Sequence, residues 1–264
     1  MEYLAIKEGK LQGRVTVVTG GSSGIGRGIA LAIAGEGSSV VIGDIVSNPR
    51  EGGKDTVSVV GEMGGKALFV KTDVTDEKSV ENLVETAVRE FGKIDVMVNN
   101  AGITLIKSAL ETSGDEFLKV LSVNVAGAFL GSKYALRHMV RAGRGKIINL
   151  ASNFSFNALP NLSAYVTSKT AVLGLTRALA VEYAPLGINV NAICPGATKT
   201  EFTRPFWDNE EGLAQLKSRI PLVKNGEFLV RPDDLGKLAV FLASDDSDMI
   251  TGDGILVDGG WSAL

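Results

Sequence analysis

Tyr165 and Lys169 stand four residues apart in Ser163-Ala164-Tyr165-Val166-Thr167-Ser168-Lys169. On a helix that spacing puts both side chains on one face. An ammonium beside a phenol favours the phenolate and lowers a pKa that is about 10 in water. A tyrosine tuned this way can move a proton near neutral pH. The same pair also fits a solvated helix face, so its surroundings must decide. Ser152 comes 13 residues earlier, at the end of an apolar run, and offers a hydroxyl to the same point. Asn124 falls inside a long helical segment. A buried amide there needs partners, which a helix irregularity with ordered water would supply.

A second group of residues suits an anion. Thr19-Gly20-x3-Gly24-x-Gly26 follows a β-branched run and opens a patterned segment, which reads as strand, glycine turn and helix. Glycines let a backbone approach a pyrophosphate closely, and helix-end N–H groups point at it. Asp44 ends the next strand, 18 residues after Gly26. A carboxylate there can hold both ribose hydroxyls of an adenosine and repel a 2′-phosphate, which favours NAD over NADP. Its bland alternative is a turn-starting aspartate. Asp73 and Asn100-Ala101-Gly102 end two further strands, at the edge where such sheets take ligands. Asp73 could accept from an adenine amino group or cap a turn.

The elements that must position these residues alternate. Strands are expected at 15–19, 40–44, 67–71, 94–98, 146–150, 188–193 and 254–257. Helices are expected at 27–35, up to about residue 63, and over 76–91, 113–140, 163–183 and 232–243. Ser113 and Glu116 make a capping box for the fourth of these. The pattern implies a doubly wound α/β domain of about seven parallel strands, covered by helices on both faces. No linker or repeat divides residues 1–264, so one domain is expected. Periodicity weakens over 197–230, which reads as a mobile insertion forming a substrate lid.

Bulk properties exclude several classes. A net charge of −3, with no basic block interleaved with aromatics, argues against nucleic acid. No run approaches the ~18 apolar residues that cross a bilayer, and residues 1–14 do not read as a secretory signal. The one cysteine, Cys194, forbids an internal disulfide and fits a reducing compartment. A soluble cytoplasmic protein is expected. His138 is the only histidine and reads as a surface or packing residue, and no metal site is expected.

The glycine turn, Asn99-Asn100-Ala101-Gly102, Asn124, Ser152, Tyr165-x3-Lys169 and Pro195-Gly196 together resemble the short-chain dehydrogenase/reductase superfamily. The likeness runs from about Leu11 to Gly260 and matches the subgroup of single Rossmann domains about 250 residues long. It implies that Tyr165 is the general acid/base and that Lys169 binds the nicotinamide ribose and lowers the Tyr165 pKa. It implies that Ser152 hydrogen-bonds the substrate oxygen and that Asn124 holds a proton-relaying water. Gly20, Ser22, Ser23, Gly24, Ile25, Gly26, Asp44, Asp73, Val74, Asn100, Ala101 and Gly102 would hold the adenosine and pyrophosphate. Pro195, Gly196, Thr198 and Thr200 would place the nicotinamide, although family patterns often carry an aliphatic residue at position 198.

The implied activity is NAD-dependent interconversion of a secondary alcohol, a sugar or polyol above all, and its ketone, by a homotetramer paired through the 113–140 and 163–183 helices. Asn153, Phe154, Phe156, Asn157, Ala158, Leu159, Phe202, Phe206 and Trp207 are candidate substrate-wall residues, and Lys199 and Arg204 could meet an anionic substrate. Two other readings compete. One is an NADP-dependent 3-oxoacyl thioester reductase, against which Asp44 and the acidic balance count. The other is a nucleotide-sensing protein without chemistry, against which the complete Asn124, Ser152, Tyr165 and Lys169 set counts.

Overall fold

The computed structural model describes residues 9–264, without the side chains of residues 205 and 206. Most of the segment read for a secretory signal therefore lies outside the described residues, as does the side chain of Phe206.

Seven strands form one sheet: β1 (Val15–Thr19), β2 (Ser39–Asp44), β3 (Ala67–Lys71), β4 (Val96–Asn99), β5 (Gly145–Leu150), β6 (Ile188–Pro195) and β7 (Gly254–Val257). Their order is β3-β2-β1-β4-β5-β6-β7, and every pairing is parallel. The inner strands are buried on both faces, which is why they read as continuous apolar runs. The order reverses between β1 and β4, and a crevice opens there beyond the carboxyl ends of the strands.

The helices are α1 (Gly24–Gly35), α2 (Thr56–Glu62), α3 (Glu77–Phe91), α4 (Gly114–Leu121), α5 (Gly127–Ala142), α6 (Ser163–Tyr183), α7 (Arg204–Trp207), α8 (Glu210–Arg219) and α9 (Pro232–Ala243). Residues of α1, α2 and α9 close one face of the sheet. Those of α3, α5 and α6 close the other. The α1–α9 contact is tight because both helices offer glycine. A Cβ on Gly28 would lie 2.6 Å from Pro232 Cβ, and one on Gly236 would lie 2.7 Å from Ala32 Cβ.

Several elements differ from the sequence expectation. The helix expected over 113–140 is broken by a π-helical turn at Ser122–Ala126. The cause lies in its middle: Asn124 Oδ1 accepts from Ile103 N at 2.8 Å, and Nδ2 donates to Ile103 O and Ser168 Oγ, both at 2.9 Å. Tying one residue of the helix to the chain beside it absorbs an extra residue in the turn. The expected irregularity is there, with protein groups as the amide's partners. The Ser113–Glu116 capping box at its start is formed as expected.

Strand β6 runs on through Cys194 and Pro195, which pair with Leu256 and Val257. Strand β4 is Val96–Asn99; just before it Asp95 bonds to both neighbouring strands through its backbone, and its carboxylate accepts from Val15 N at 2.8 Å. Residues 197–230 carry α7 and α8. Their base is tied by Lys199 N donating to Val230 O at 2.8 Å and Val230 N to Ala197 O at 3.0 Å.

Candidate active site

A cleft of about 630 Å³ lies over the carboxyl ends of the strands. One end is built from backbone. Gly20 and Gly24 take φ of +65° and +55°, conformations that glycine adopts freely. Gly26 meets a different need. A Cβ there would lie 2.1 Å from Gly20 O and 2.3 Å from Asn100 Nδ2, so glycine lets α1 sit against the turn it follows. Asn100 stitches the turn to β1 by donating Nδ2 to Thr19 O at 2.9 Å and to Gly20 O at 3.0 Å. Thr19 Oγ1 in turn accepts from Asn100 N and Ala101 N. The Asp44 carboxylate reaches the same turn, accepting from Ser22 N at 3.1 Å and from Ile45 N at 2.8 Å. Beyond it, Glu51 Oε1 accepts from Gly24 N at 3.0 Å, and Arg50 N donates to Ser23 Oγ at 2.8 Å. Asp73 closes a turn by accepting from Thr75 N and Thr75 Oγ1, which holds its carboxyl below the usual range.

This end fits a dinucleotide. The backbone is bare at Gly20, Gly24 and Gly102, the buried Ser22 Oγ has no partner among the described residues, and Asp44 lines the cleft. Among the described residues there is no cluster suited to a metal ion, and no helix is long and apolar enough to cross a membrane.

The other end is built from side chains. Ser152 follows β5, Tyr165 and Lys169 come from the first turns of α6, and Pro195, Gly196, Thr198 and Thr200 come from the end of β6 and beyond. All of them line the cleft. Lys169 is buried and donates Nζ to Leu150 O at 2.6 Å, while that nitrogen lies 5.7 Å from the Tyr165 ring centroid. Phe154 meets Tyr165 edge-on at 6.4 Å, and Trp261 meets Phe154 edge-on at 6.0 Å. From residues 197–230, Phe202, Trp207 and Leu216 reach the cleft.

The electrostatics correct one expectation. Tyr165 does not have a lowered pKa here. Burial pushes its phenol up to about 12, offset in part by the Ser152 hydroxyl. Burial also brings the Lys169 ammonium down to about 8. Lys169 gives its hydrogen bond to a main-chain carbonyl, and desolvation of the phenol sets the direction of the Tyr165 shift. Cys194 is likewise pushed up to about 12 by burial, which makes it a small apolar residue and a poor nucleophile.

Some candidates stand apart from the cleft lining. Ser22, Gly26 and Asn124 lie behind it: Ser22 N orients Asp44, Gly26 packs the turn, and Asn124 fixes the Ile103 segment. Thr198 is buried in the wall and donates to Gly196 O at 3.0 Å. Lys199 and Arg204 do not reach the cleft, and Arg204 pairs with Glu201 and Asp208 at the surface. Phe156 and Asn157 face away from it, Asn157 holding Asn153 O and Ser262 Oγ. His138 bonds Glu85, linking α5 to α3. Trp261, Ile103, Thr104 and Leu162 line the cleft and were not foreseen. Only Trp261, directly after the Gly259-Gly260 turn, left a signal in sequence, as one of two tryptophans.

A family model described as enoyl-(acyl carrier protein) reductase, of the short-chain alcohol dehydrogenase type, matches residues 20–262. The chain belongs to the short-chain dehydrogenase/reductase family. It is 40% identical over 254 residues to 2-dehydro-3-deoxy-D-gluconate 5-dehydrogenase of Dickeya dadantii, covering 96% of this chain and 97% of that one. It is 40% identical over 252 residues to cis-4-hydroxycyclohexanecarboxylate dehydrogenase of Sinomonas cyclohexanicum, covering 95% and 97%. A structure from Beutenbergia cavernae, provisionally described as an NAD(P)-dependent gluconate 5-dehydrogenase with NADP bound at low occupancy, superposes with a TM-score of 0.88. It is 38% identical and covers 96% of this chain and 98% of its own. An oxidoreductase acting on CH–OH groups with a nicotinamide cofactor follows from this membership.

Proposed function

We propose that the chain is an NAD-dependent dehydrogenase of a secondary alcohol borne by a sugar, polyol or hydroxy acid, with Tyr165 as its general acid/base. The observation that carries this reading is that Ser152, Tyr165 and Lys169 line one end of the cleft whose other end holds Asp44 and the glycine turn. When bound, the nicotinamide supplies the hydride acceptor. Ser152 hydrogen-bonds the reacting oxygen, and Tyr165 exchanges its proton with that oxygen. In the free cleft Tyr165 holds its proton and stands as a donor, the form that ketone reduction needs. Oxidation needs the phenolate, and Lys169 is the cation at hand to favour it. Asn124 acts one step back, fixing the Ile103 segment and Ser168 on α6.

Asp44 supports NAD. Its carboxylate is held at the cleft by two backbone donors, where a 2′-phosphate would meet like charge. The hydroxy-acid class is supported by the names of the two dehydrogenases and the gluconate-type structure described above, each of which refers to a carboxylate-bearing alcohol or its ketone. Residues 197–230 serve as the lid of a single domain. Exposed Leu118, Phe129 and Val181 on α4, α5 and α6 support a homotetramer paired through those faces, read by analytical ultracentrifugation. Calorimetric titration with NADH and NADPH, followed by a panel of sugars, polyols, hydroxy acids and simple secondary alcohols, tests the reading. Tighter NADH binding and turnover of a hydroxylated substrate are expected. A clear NADPH preference with turnover of 3-oxoacyl thioesters alone would replace it with the reductase reading.

A further inference from the structure

Beside Ser152 the cleft wall holds a second buried amide, and its hydrogen bonds do not close. Asn153 is 2% exposed, lines the cleft, and leaves Nδ2 with no partner among the described residues. Its Oδ1 accepts from the Ser152 hydroxyl at 3.2 Å. A serine hydroxyl has one proton to donate and two positions to accept with. Ser152 Oγ also accepts from Phe154 N at 3.1 Å, and the proton it gives to Asn153 is the one it would otherwise give to Tyr165. A hydroxyl turned that way cannot also donate to a substrate oxygen.

Turning the amide by half a revolution about Cβ–Cγ exchanges its two ends. Nδ2 then stands where Oδ1 stood and donates to Ser152 Oγ. The Ser152 O–H is released toward the cleft, while Phe154 N keeps its bond. The unpaired role passes from a buried donor to a carbonyl oxygen, a vacancy that folded proteins tolerate more often. Only the amide need move. Asn153 O is held by Phe156 N at 3.0 Å, Asn157 N at 3.2 Å and Asn157 Nδ2 at 3.3 Å, and Asn157 is itself tied to Ser262 Oγ at 2.8 Å.

We infer that Asn153 is a positioning residue with two amide orientations. One parks the Ser152 proton in the free enzyme, and the other, adopted when the alcohol or ketone binds, directs that proton at the substrate oxygen. The inference rests on the proposed role of Ser152. No bond breaks in the change: Ser152 keeps its proton, and only the direction of its O–H alters.

Two variants separate this from packing. Asn153→Asp keeps the size and the acceptor toward Ser152 and removes the donor, so it traps the parked state. Asn153→Ala removes both and leaves Ser152 free. The switch predicts that kcat falls at least tenfold further in Asn153→Asp than in Asn153→Ala, with NADH binding retained in both. A packing role predicts the reverse, because alanine leaves a cavity and aspartate does not. Tyr165, Lys169 and Cys194 are the titratable groups around Ser152. The comparison is therefore made in the ketone-reduction direction near neutral pH, where Tyr165 keeps its proton in every variant and an added carboxylate does not act through Tyr165 titration.

A measurement on the unaltered protein stands beside it. The side-chain 15N amide resonances of Asn153 should move when the product ketone of the best alcohol is added to the NADH-free, NAD-bound protein. An alanine variant slower than the aspartate one, or unmoved amide resonances, would overturn the switch alone. Absence of wild-type turnover across the alcohol panel would overturn the dehydrogenase reading and the switch with it.

Discussion

The two ends of the cleft are built on different principles. At the end proposed for the dinucleotide the shape is set mainly by backbone. Gly20 and Gly24 take left-handed conformations, Gly26 makes room, and Asn100 and Thr19 tie β1 to β4 across the switch point. At the chemical end it is set by side chains carried from distant parts of the chain. Ser152 comes from the end of β5, Tyr165 and Lys169 from α6, Thr200 from beyond β6, and Trp261 from beyond β7. Their burial shifts Tyr165 and Lys169 in opposite directions and leaves Asn153 with an unpaired donor. A binding cradle for an invariant ligand part can be made locally. A site that must move protons holds its groups in conditions that water would relax.

The contrast predicts what each end loses when altered. Gly26→Ala attacks the first end through steric overlap with Gly20 O and Asn100 Nδ2. Destabilisation of about 2–3 kcal/mol is expected in urea unfolding, together with at least about tenfold weaker NADH binding. A fully retained NADH affinity would show that the cradle tolerates a side chain there.

Lys169→Met probes the second end through stability. The Lys169 pKa is about 8 in the fold against 10.5 when exposed. Between those values the unfolded chain binds more protons, so stability rises with pH across that window. Tyr165 acts in the opposite sense. Its pKa is raised from 10 to about 12, so its contribution is present below pH 10 and is lost as pH climbs through that range. Replacing Lys169 with methionine should remove the rise, so that the variant gains about 2 kcal/mol more over wild type at pH 8 than at pH 10. Equal differences at both pH values would mean that the ammonium is not desolvated.

Arg204→Ala should do least. Arg204 is exposed, and its partners are the half-buried Glu201 and the exposed Asp208, so little change in urea unfolding is expected. The KM for a carboxylated alcohol should stay within about twofold of wild type. A tenfold rise in KM would place Arg204 in contact with the substrate after all.

The same contrast governs how much could be read from sequence. The sheet, the glycine turn and Asp44 were legible because each depends on neighbours in the chain: a β-branched run, a turn, then a helix. Helix α6 was legible to the residue, from Ser163 to Tyr183. The break in the helix expected over 113–140 was visible only as the problem posed by a buried Asn124. Its solution required Ile103 and Ser168, which no local pattern joins to it. The direction of the Tyr165 shift was missed for a related reason. Spacing places Lys169 on the same helix face, but the Leu150 carbonyl that captures its ammonium belongs to another strand. Trp261 and the lid side chains follow no periodicity, because aromatic contacts such as Phe154 with Tyr165 and Trp261 are fixed by tertiary packing alone.

The central claim is that binding and proton transfer are separable, with Tyr165 responsible for the second. It is tested most directly by Tyr165→Phe, which removes one oxygen and leaves the ring against Phe154. Turnover of the best alcohol, followed by NADH absorbance, should fall by about a thousandfold or more, while NADH affinity by calorimetry stays within about threefold of wild type. Turnover within tenfold of wild type would contradict the assignment of Tyr165 as the group that exchanges the substrate proton.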